Sequence, residues 1–276
     1  MPNDIYIAKS MLHMYEEPCL LRTGPDGVSV GVGAIFFSGC NLGCVFCQNY
    51  KISHNRYGKP VSEEELEEVI YSLCRRGASC IEFITPTHYS DSLIRVLKRI
   101  KPNLPIPTVW NSGGYERIET IKALCGLIDI YMPDLKYFSP QLSKKYSGVS
   151  DYFERATEAI KEMISQTGKP SYTPDGLLKC GVIIRHLVLP GCRLDSIEIL
   201  RRARDLFGTE NIILSLMSQY TPDFYIENHK ECEYKNLSRR LTSFEYQSVK
   251  NEALRLGFDG YFQKPDSASK TFTPEF

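Results

Sequence analysis

The sequence has no excess of either charge, since 33 Lys and Arg balance 33 Asp and Glu. A chain without a global field has no general means of gathering nucleic acid or an anionic membrane surface, so neither is expected as a partner. Long hydrophobic runs are missing too: no stretch approaches the roughly 20 apolar residues that span a bilayer. The first residues, Met1 to Ile5, lack the basic start and apolar run of a secretory signal, which makes the cytoplasm the expected location. Internal repeats and low-complexity tracts are likewise missing.

What is present is ordinary in bulk. The 276 residues are 42 % hydrophobic and 24 % charged, the balance of a folded chain with enough residues for a sizeable core. The ten cysteines are less ordinary. With no export signal, a disulfide framework is not expected. Metal ligands, reactive thiols and small buried apolar residues remain, and spacing has to separate them.

Short β-rich runs alternate with amphipathic helices. The expected strands are Ala34–Ser38, Cys80–Ile84, Ile106–Trp110, Ile128–Met132, Val182–Leu189 and Ile212–Leu216. The expected helices run from Ser62 to about Arg76, Ser92 to Ile100, Tyr115 to Cys125, Tyr152 to Ser165, Ser196 to Phe207 and Phe244 to Leu256. Ser62 with Glu65 reads as a capping box, and Leu66, Val69, Ile70 and Leu73 share a face at helical spacing. Six βα units argue for parallel strands in a partial or complete barrel. Residues 34–276 form this domain, and residues 1–33 are expected to be an irregular lead-in. Gly168–Lys179 and Thr221–Leu237 read as loops.

Directly after the first strand comes Gly39-Cys40-Asn41-Leu42-Gly43-Cys44-Val45-Phe46-Cys47. Three thiols within eight residues converge on one metal centre if the loop curls round it, and Gly39 and Gly43 permit the positive φ angles that curling often needs. Thiolate suits iron–sulfur clusters and zinc. Three ligands leave one iron of a cubane open, the cluster counterpart of an open catalytic metal site. A structural zinc site needs a fourth donor, with His54 or Cys19 nearest to hand. A non-catalytic iron–sulfur electron carrier needs four protein ligands as well.

This C-x₃-C-x₂-C spacing, with an aromatic before the last Cys, resembles the signature of the radical S-adenosylmethionine (SAM) superfamily. The wider string from Gly39 to Ser53 is similar to the pyruvate formate-lyase activating enzyme-like (PflX-type) subgroup. Phe83–Tyr89, Asp129–Tyr137, Ile184–Gly191 and Leu216–Tyr220 extend the likeness over most of the chain. The resemblance implies an α/β fold, the partial (β/α)6 TIM-type barrel of that superfamily. It implies an oxidoreductase in which Cys40, Cys44 and Cys47 bind a 4Fe–4S cluster that reductively cleaves SAM to a 5′-deoxyadenosyl radical, and this radical abstracts hydrogen from a substrate. The cofactor carries that chemistry, and the protein orients it and excludes side reactions.

Carried over by position, Phe46 stands beside the adenine, unless it only packs. Asp134 and Lys136, on one side of an extended chain, contact SAM, or form an ordinary ion pair. Asn111 and Ser112 match neighbours of a monovalent cation, with Asn where the activating enzymes have Asp, so one negative charge fewer. Thr85 replaces the carboxylate of their second strand, which Ile84-Thr85-Pro86-Thr87 lacks. Arg185 matches an Arg of the site, and Gln219 stands where they place a His. His186 alternates to the other face, as a satisfied core histidine or a site residue, and His88 lies at the mouth. Cys74 and Cys125 are read on apolar helix faces, Cys80 and Cys180 at strand starts, and Cys192 and Cys232 near the active face.

For partners the resemblance implies an electron donor such as flavodoxin or ferredoxin. The substrate is a glycine of a glycyl radical enzyme, another protein or peptide, or a small molecule. A short chain that leaves the barrel mouth uncovered favours a macromolecular loop.

Overall fold

The computed structural model describes residues 5–24, 29–55, 57–229 and 233–264. Seven parallel strands form its frame: β2 Val32–Phe37, β4 Ile81–Ile84, β5 Thr108–Ser112, β6 Ile130–Pro133, β7 Leu178–Leu187, β8 Ile213–Met217 and β9 Gly260–Phe262. Two more, β1 Ile5–His13 and β3 Lys59–Val61, join antiparallel, giving the spatial order β9-β8-β7-β6-β5-β4-β2-β1-β3. The helices that cover the frame are α1 Glu63–Arg75, α2 Ser90–Ile100, α3 Ile118–Ala123, α4 Pro140–Ser147, α5 Tyr152–Thr167, α6 Arg193–Phe207 and α7 Ser243–Arg255, besides the short helical segments Tyr50–Ser53 and Asp223–Asn228. Among the described residues no helix is long and apolar enough to cross a membrane.

Alternation along the strands sets which side chains face which core. Ile35, Phe37, Phe83, Trp110, Tyr131 and Ile184 pack with buried helix residues such as Leu66, Leu97 and Ile160. Val32, Ala34, Phe36, Val109, Met132 and Ile183 form a second cluster on the opposite, concave side. Both faces of the sheet are therefore apolar, as expected of parallel strands covered on both sides. Leu66, Ile70 and Leu73 of α1 are almost fully buried, each contributing roughly 1.5–3 kcal/mol by leaving water. The Ser62–Glu65 capping box that starts α1 forms as the spacing predicts.

Several expectations are corrected. Among the described residues of the lead-in 1–33, Ile5–His13 is a regular strand: β1 pairs along β2 with Ile5 and Ile7 buried and Tyr6 outward. After β1 the chain turns inward, and Cys19 and Leu20 join the concave core. The stretch 168–179 holds a short hairpin strand, Ser171–Tyr172, paired with β7. Asp223–Asn228 in the second expected loop is helical. Helix α4 was not anticipated, nor was β9 after the sixth unit. Gly39 has φ +90°, but Gly43 has an ordinary negative-φ backbone. Cys125 is exposed instead of packed, and Cys232 lies outside the described residues.

Candidate active site

The cysteine loop leaves the end of β2 and is stapled from outside by the end of α4. Gly43 N–H donates to the Ser147 carbonyl (3.2 Å) and Val45 N–H to that of Tyr146 (2.9 Å). Gly39 starts the loop in a left-handed turn, and a Cβ there would lie 2.9 Å from His88 Nε2. Cys40, Cys44 and Cys47 all line one cavity of about 200 Å3.

Each sulfur has a hydrogen-bonding neighbour of the protein's own. Leu42 N–H points to Cys40 Sγ (3.4 Å), Ser147 Oγ lies 2.9 Å from Cys44 Sγ, and Ser53 Oγ lies 3.2 Å from Cys47 Sγ. Tyr137 OH stands 2.7 Å from Ser147 Oγ, so a proton given by the tyrosine leaves the serine hydroxyl free to point at sulfur. Burial pushes the Cys40 thiol up to about 12 and the Cys47 thiol to about 11, and raises Cys44 too. Such thiols ionise together only beside a strong positive centre, and metal supplies one. Among the described residues no three His, Cys, Asp or Glu side chains are placed closely enough to hold a single ion between them. The donor set, three thiols spaced round a cavity with N–H and O–H groups aimed at sulfur, fits a cluster larger than one ion.

The strand ends supply the rest of that cavity. Its walls include Phe46, Thr85, Asn111, Ser112, Asp134, Lys136, Arg185 and Gln219, so the eight residues matched to the cofactor site line one cavity with the thiols. Asp134 and Lys136 form an ion pair. Burial disfavours the Lys136 ammonium, but Asp134 and the Cys44 sulfur outweigh that and raise its pKa. Phe46 is buried, edge-on to Tyr137 and Tyr146; it both packs and lines the cavity. Thr85 has φ +57°, alone among the described non-glycine residues in being positive. Its N–H donates to the Asn111 carbonyl (2.8 Å). A β-branched residue held there is strained, and such strain is concentrated at functional sites. Gln48 Nε2 donates to the Gln219 carbonyl (3.2 Å), tying the cysteine loop to the end of β8.

Ile84 to Thr87 carries no carboxylate, as the sequence reads, but an acid not singled out there, Glu82, lies three residues before Thr85 on the same strand and is fully buried. Asn111 Nδ2 donates to its Oε1 at 2.7 Å, so an acid group stands beside Asn111 on the neighbouring strand. Burial pushes Glu82 up to about 7, against the pull of Asn111 and Arg185. Arg185 is held by Glu16 (3.4 Å) and Glu17 (3.5 Å), which the chain after β1 carries into the barrel.

The remaining candidates take structural places. His186 is 1 % exposed, its Nδ1 is 2.6 Å from the Leu135 carbonyl, and burial lowers its pKa to about 4. It is a core histidine on the helix side of the sheet, paired through Nδ1 and with its buried Nε2 left without a hydrogen-bond partner. His88 Nε2 lies 2.5 Å from the Ser38 carbonyl and braces the turn at Gly39. Cys192 is buried at the start of α6.

Likeness to known proteins bears on the family and on the fold. A family model for the Radical SAM superfamily matches residues 34–203. A protein of Methanocaldococcus jannaschii described as uncharacterized is 29 % identical over 255 residues, covering 87 % of this chain and 67 % of its own. Streptococcus suis SuiB bound to precursor peptide SuiA superposes with a TM-score of 0.55 at 14 % identity, over 82 % of this chain and 47 % of SuiB. A spore photoproduct lyase variant with bound AdoMet and dinucleoside spore photoproduct gives 0.53 at 10 % identity, over 87 % of this chain and 76 % of the lyase. At such identities the likeness is one of fold, and this chain spans about half the length of SuiB.

Proposed function

The chain belongs to the radical SAM superfamily, and on that premise we propose that Cys40, Cys44 and Cys47 hold its 4Fe–4S cluster while Asp134, Lys136, Thr85, Asn111, Ser112, Arg185, Gln219 and Phe46 receive SAM. When bound, the cluster supplies one electron to the sulfonium of SAM, yielding methionine and a 5′-deoxyadenosyl radical that takes hydrogen from the substrate. The observation that carries the assignment is that three thiols and these side chains line one cavity at the ends of the parallel strands, where barrels of this kind place their chemistry.

The chain's own work is orientation and exclusion of water. Asp134 and Lys136 offer one acid and one base to the amino-acid part of SAM, which itself carries one charge of each sign. Thr85, with its N–H held by the Asn111 carbonyl, offers its hydroxyl or carbonyl to the same part. Phe46 gives the adenine a flat apolar wall. Asn111, Ser112, Asp134 and nearby Glu82 form the polar corner in which a monovalent cation would sit.

For substrate we propose a peptide or protein segment. SuiB shares the fold and is solved with a precursor peptide. Glycine activation in the manner of pyruvate formate-lyase activating enzyme is one form of this reading, with flavodoxin or ferredoxin as electron donor. Anoxic reconstitution with iron and sulfide, followed by SAM and dithionite, tests the chemistry: 5′-deoxyadenosine should accumulate. A fully loaded cluster that releases none overturns the proposal.

A further inference from the structure

Beside the cofactor cavity lies a second one of about 460 Å3. The two share Arg185 and Gln219 as walls. Glu16, Glu17, Tyr261 and Phe262 line only the second, which sits between the segment after β1 and the ends of β8 and β9.

Its charges do not balance. Arg185 faces Glu16 at 3.4 Å and Glu17 at 3.5 Å, and its field also reaches Glu82. Burial and Arg185 both hold the nearby His13 below the ordinary histidine range, so it adds no cation near neutral pH. Two acids, Glu16 and Glu17, thus line the cavity beside one guanidinium, with Glu82 behind its wall. Glu17 is 7 % exposed, yet its Oε2 has no hydrogen-bond partner, and neither has Oε2 of buried Glu82. Buried carboxylates are costly unless a donor or cation meets them. Burial and the charge of Glu82 keep Glu16 well above the usual carboxylate range, as expected where countercharge is short. The aromatic walls suit an organic cation, whose charge is attracted to ring faces and whose alkyl stem packs on them.

We propose that this second cavity is the substrate pocket and takes an alkyl chain ending in an ammonium group, with Glu16 and Glu17 as its counter-ions. The assignment rests on reading the adjoining cavity as the SAM site, because the shared Gln219 and Arg185 wall then puts the stem of the bound chain next to the hydrogen-abstracting chemistry. A lysine side chain of a peptide has this form.

Calorimetry on the anoxically reconstituted protein tests it with pentylammonium, its neutral isostere 1-pentanol, and pentanoate. The ammonium should bind about tenfold or more tighter than the alcohol, as a charge-assisted hydrogen bond to a carboxylate requires. Pentanoate should not bind. Glu17→Gln should erase roughly that tenfold preference while circular dichroism shows the fold retained. Equal binding of ammonium and alcohol by the wild-type protein overturns the proposal without recourse to any variant, and so does a folded Glu17→Gln protein with undiminished preference. Release of 5′-deoxyadenosine from the same preparation reads the SAM assignment separately, so failure of one is distinguishable from failure of the other.

Discussion

The amide of Asn111 and the carboxylate of Glu82 face each other across β4 and β5, with Nδ2 and Oε1 2.7 Å apart. Register brings them together: Ile84 pairs with Asn111 and Glu82 with Val109, so both polar side chains point to the concave side one step apart. A carboxyl group thus stands one strand over from Asn111, in a fully buried setting.

Glu82 is therefore a source of pH dependence. Its pKa in the folded protein is about 7, above the ordinary value of 4.5, so between these two values the folded chain binds more protons than the unfolded one. Stability from this group is fully present below about pH 4.5 and is lost as pH rises through about 7. Glu82→Gln should flatten that slope and raise the melting temperature relative to wild type at pH 8, measured by calorimetry across pH 5 to 8. A parallel pair of curves would remove Glu82 as the source.

His186 acts with the opposite sign. Its folded pKa of about 4 lies below the ordinary 6.5, so the unfolded chain takes up the proton first. The stability it contributes is present above pH 6.5 and lost as pH falls toward 4, up to about 3 kcal/mol. His186→Gln keeps a donor for the Leu135 carbonyl and should lose less stability than wild type between pH 6.5 and 5.

Replacing Cys40, Cys44 or Cys47 singly by Ala should bring bound iron and sulfide close to zero after anoxic reconstitution, whereas Cys74→Ala should load fully. Iron analysis decides it, and full loading of any of the three variants would reassign that thiol.

Asp134→Ala should weaken SAM binding by about 1.5–3 kcal/mol, the range for a hydrogen bond to a charged group, with the cluster spectrum unchanged. Cluster loss instead would give Asp134 a folding role.

At Thr85 strain and function should come apart. Thr85→Gly removes a left-handed penalty of about 1–2 kcal/mol, largely offset by the greater chain entropy of Gly in the unfolded state. The variant should melt no lower than wild type while binding SAM several-fold more weakly, seen by calorimetry. Unchanged affinity would take the hydroxyl out of the site.

Much of this was legible in the sequence because the signals are local. The capping box at Ser62, the six βα alternations and the thiol spacing each lie within a few residues of chain. Helix α4 was legible in principle, since Ser139 caps it, Pro140 opens it and Gly148 ends it in a left-handed turn; what hid it is its weak apolar stripe. Its role was not legible, because Ser147 meets Cys44 across 103 residues. The pairing of Arg185 with Glu16 spans 169 residues and depends on the chain after β1 entering the barrel. Glu82 sat unnoticed inside Ile81-Glu82-Phe83-Ile84, where an apolar run masks the inward parity of one acid.

The antiparallel pairing of β1 along β2 has a last consequence. The strand that delivers the thiols is clamped on both flanks, by β1 on one and β4 on the other, so the scaffold does not depend on iron to stand. Oxygen that destroys the centre should leave an intact, emptied vessel, ready to be refilled without refolding. Amide exchange across Val32–Phe37 before and after chelation would register the difference.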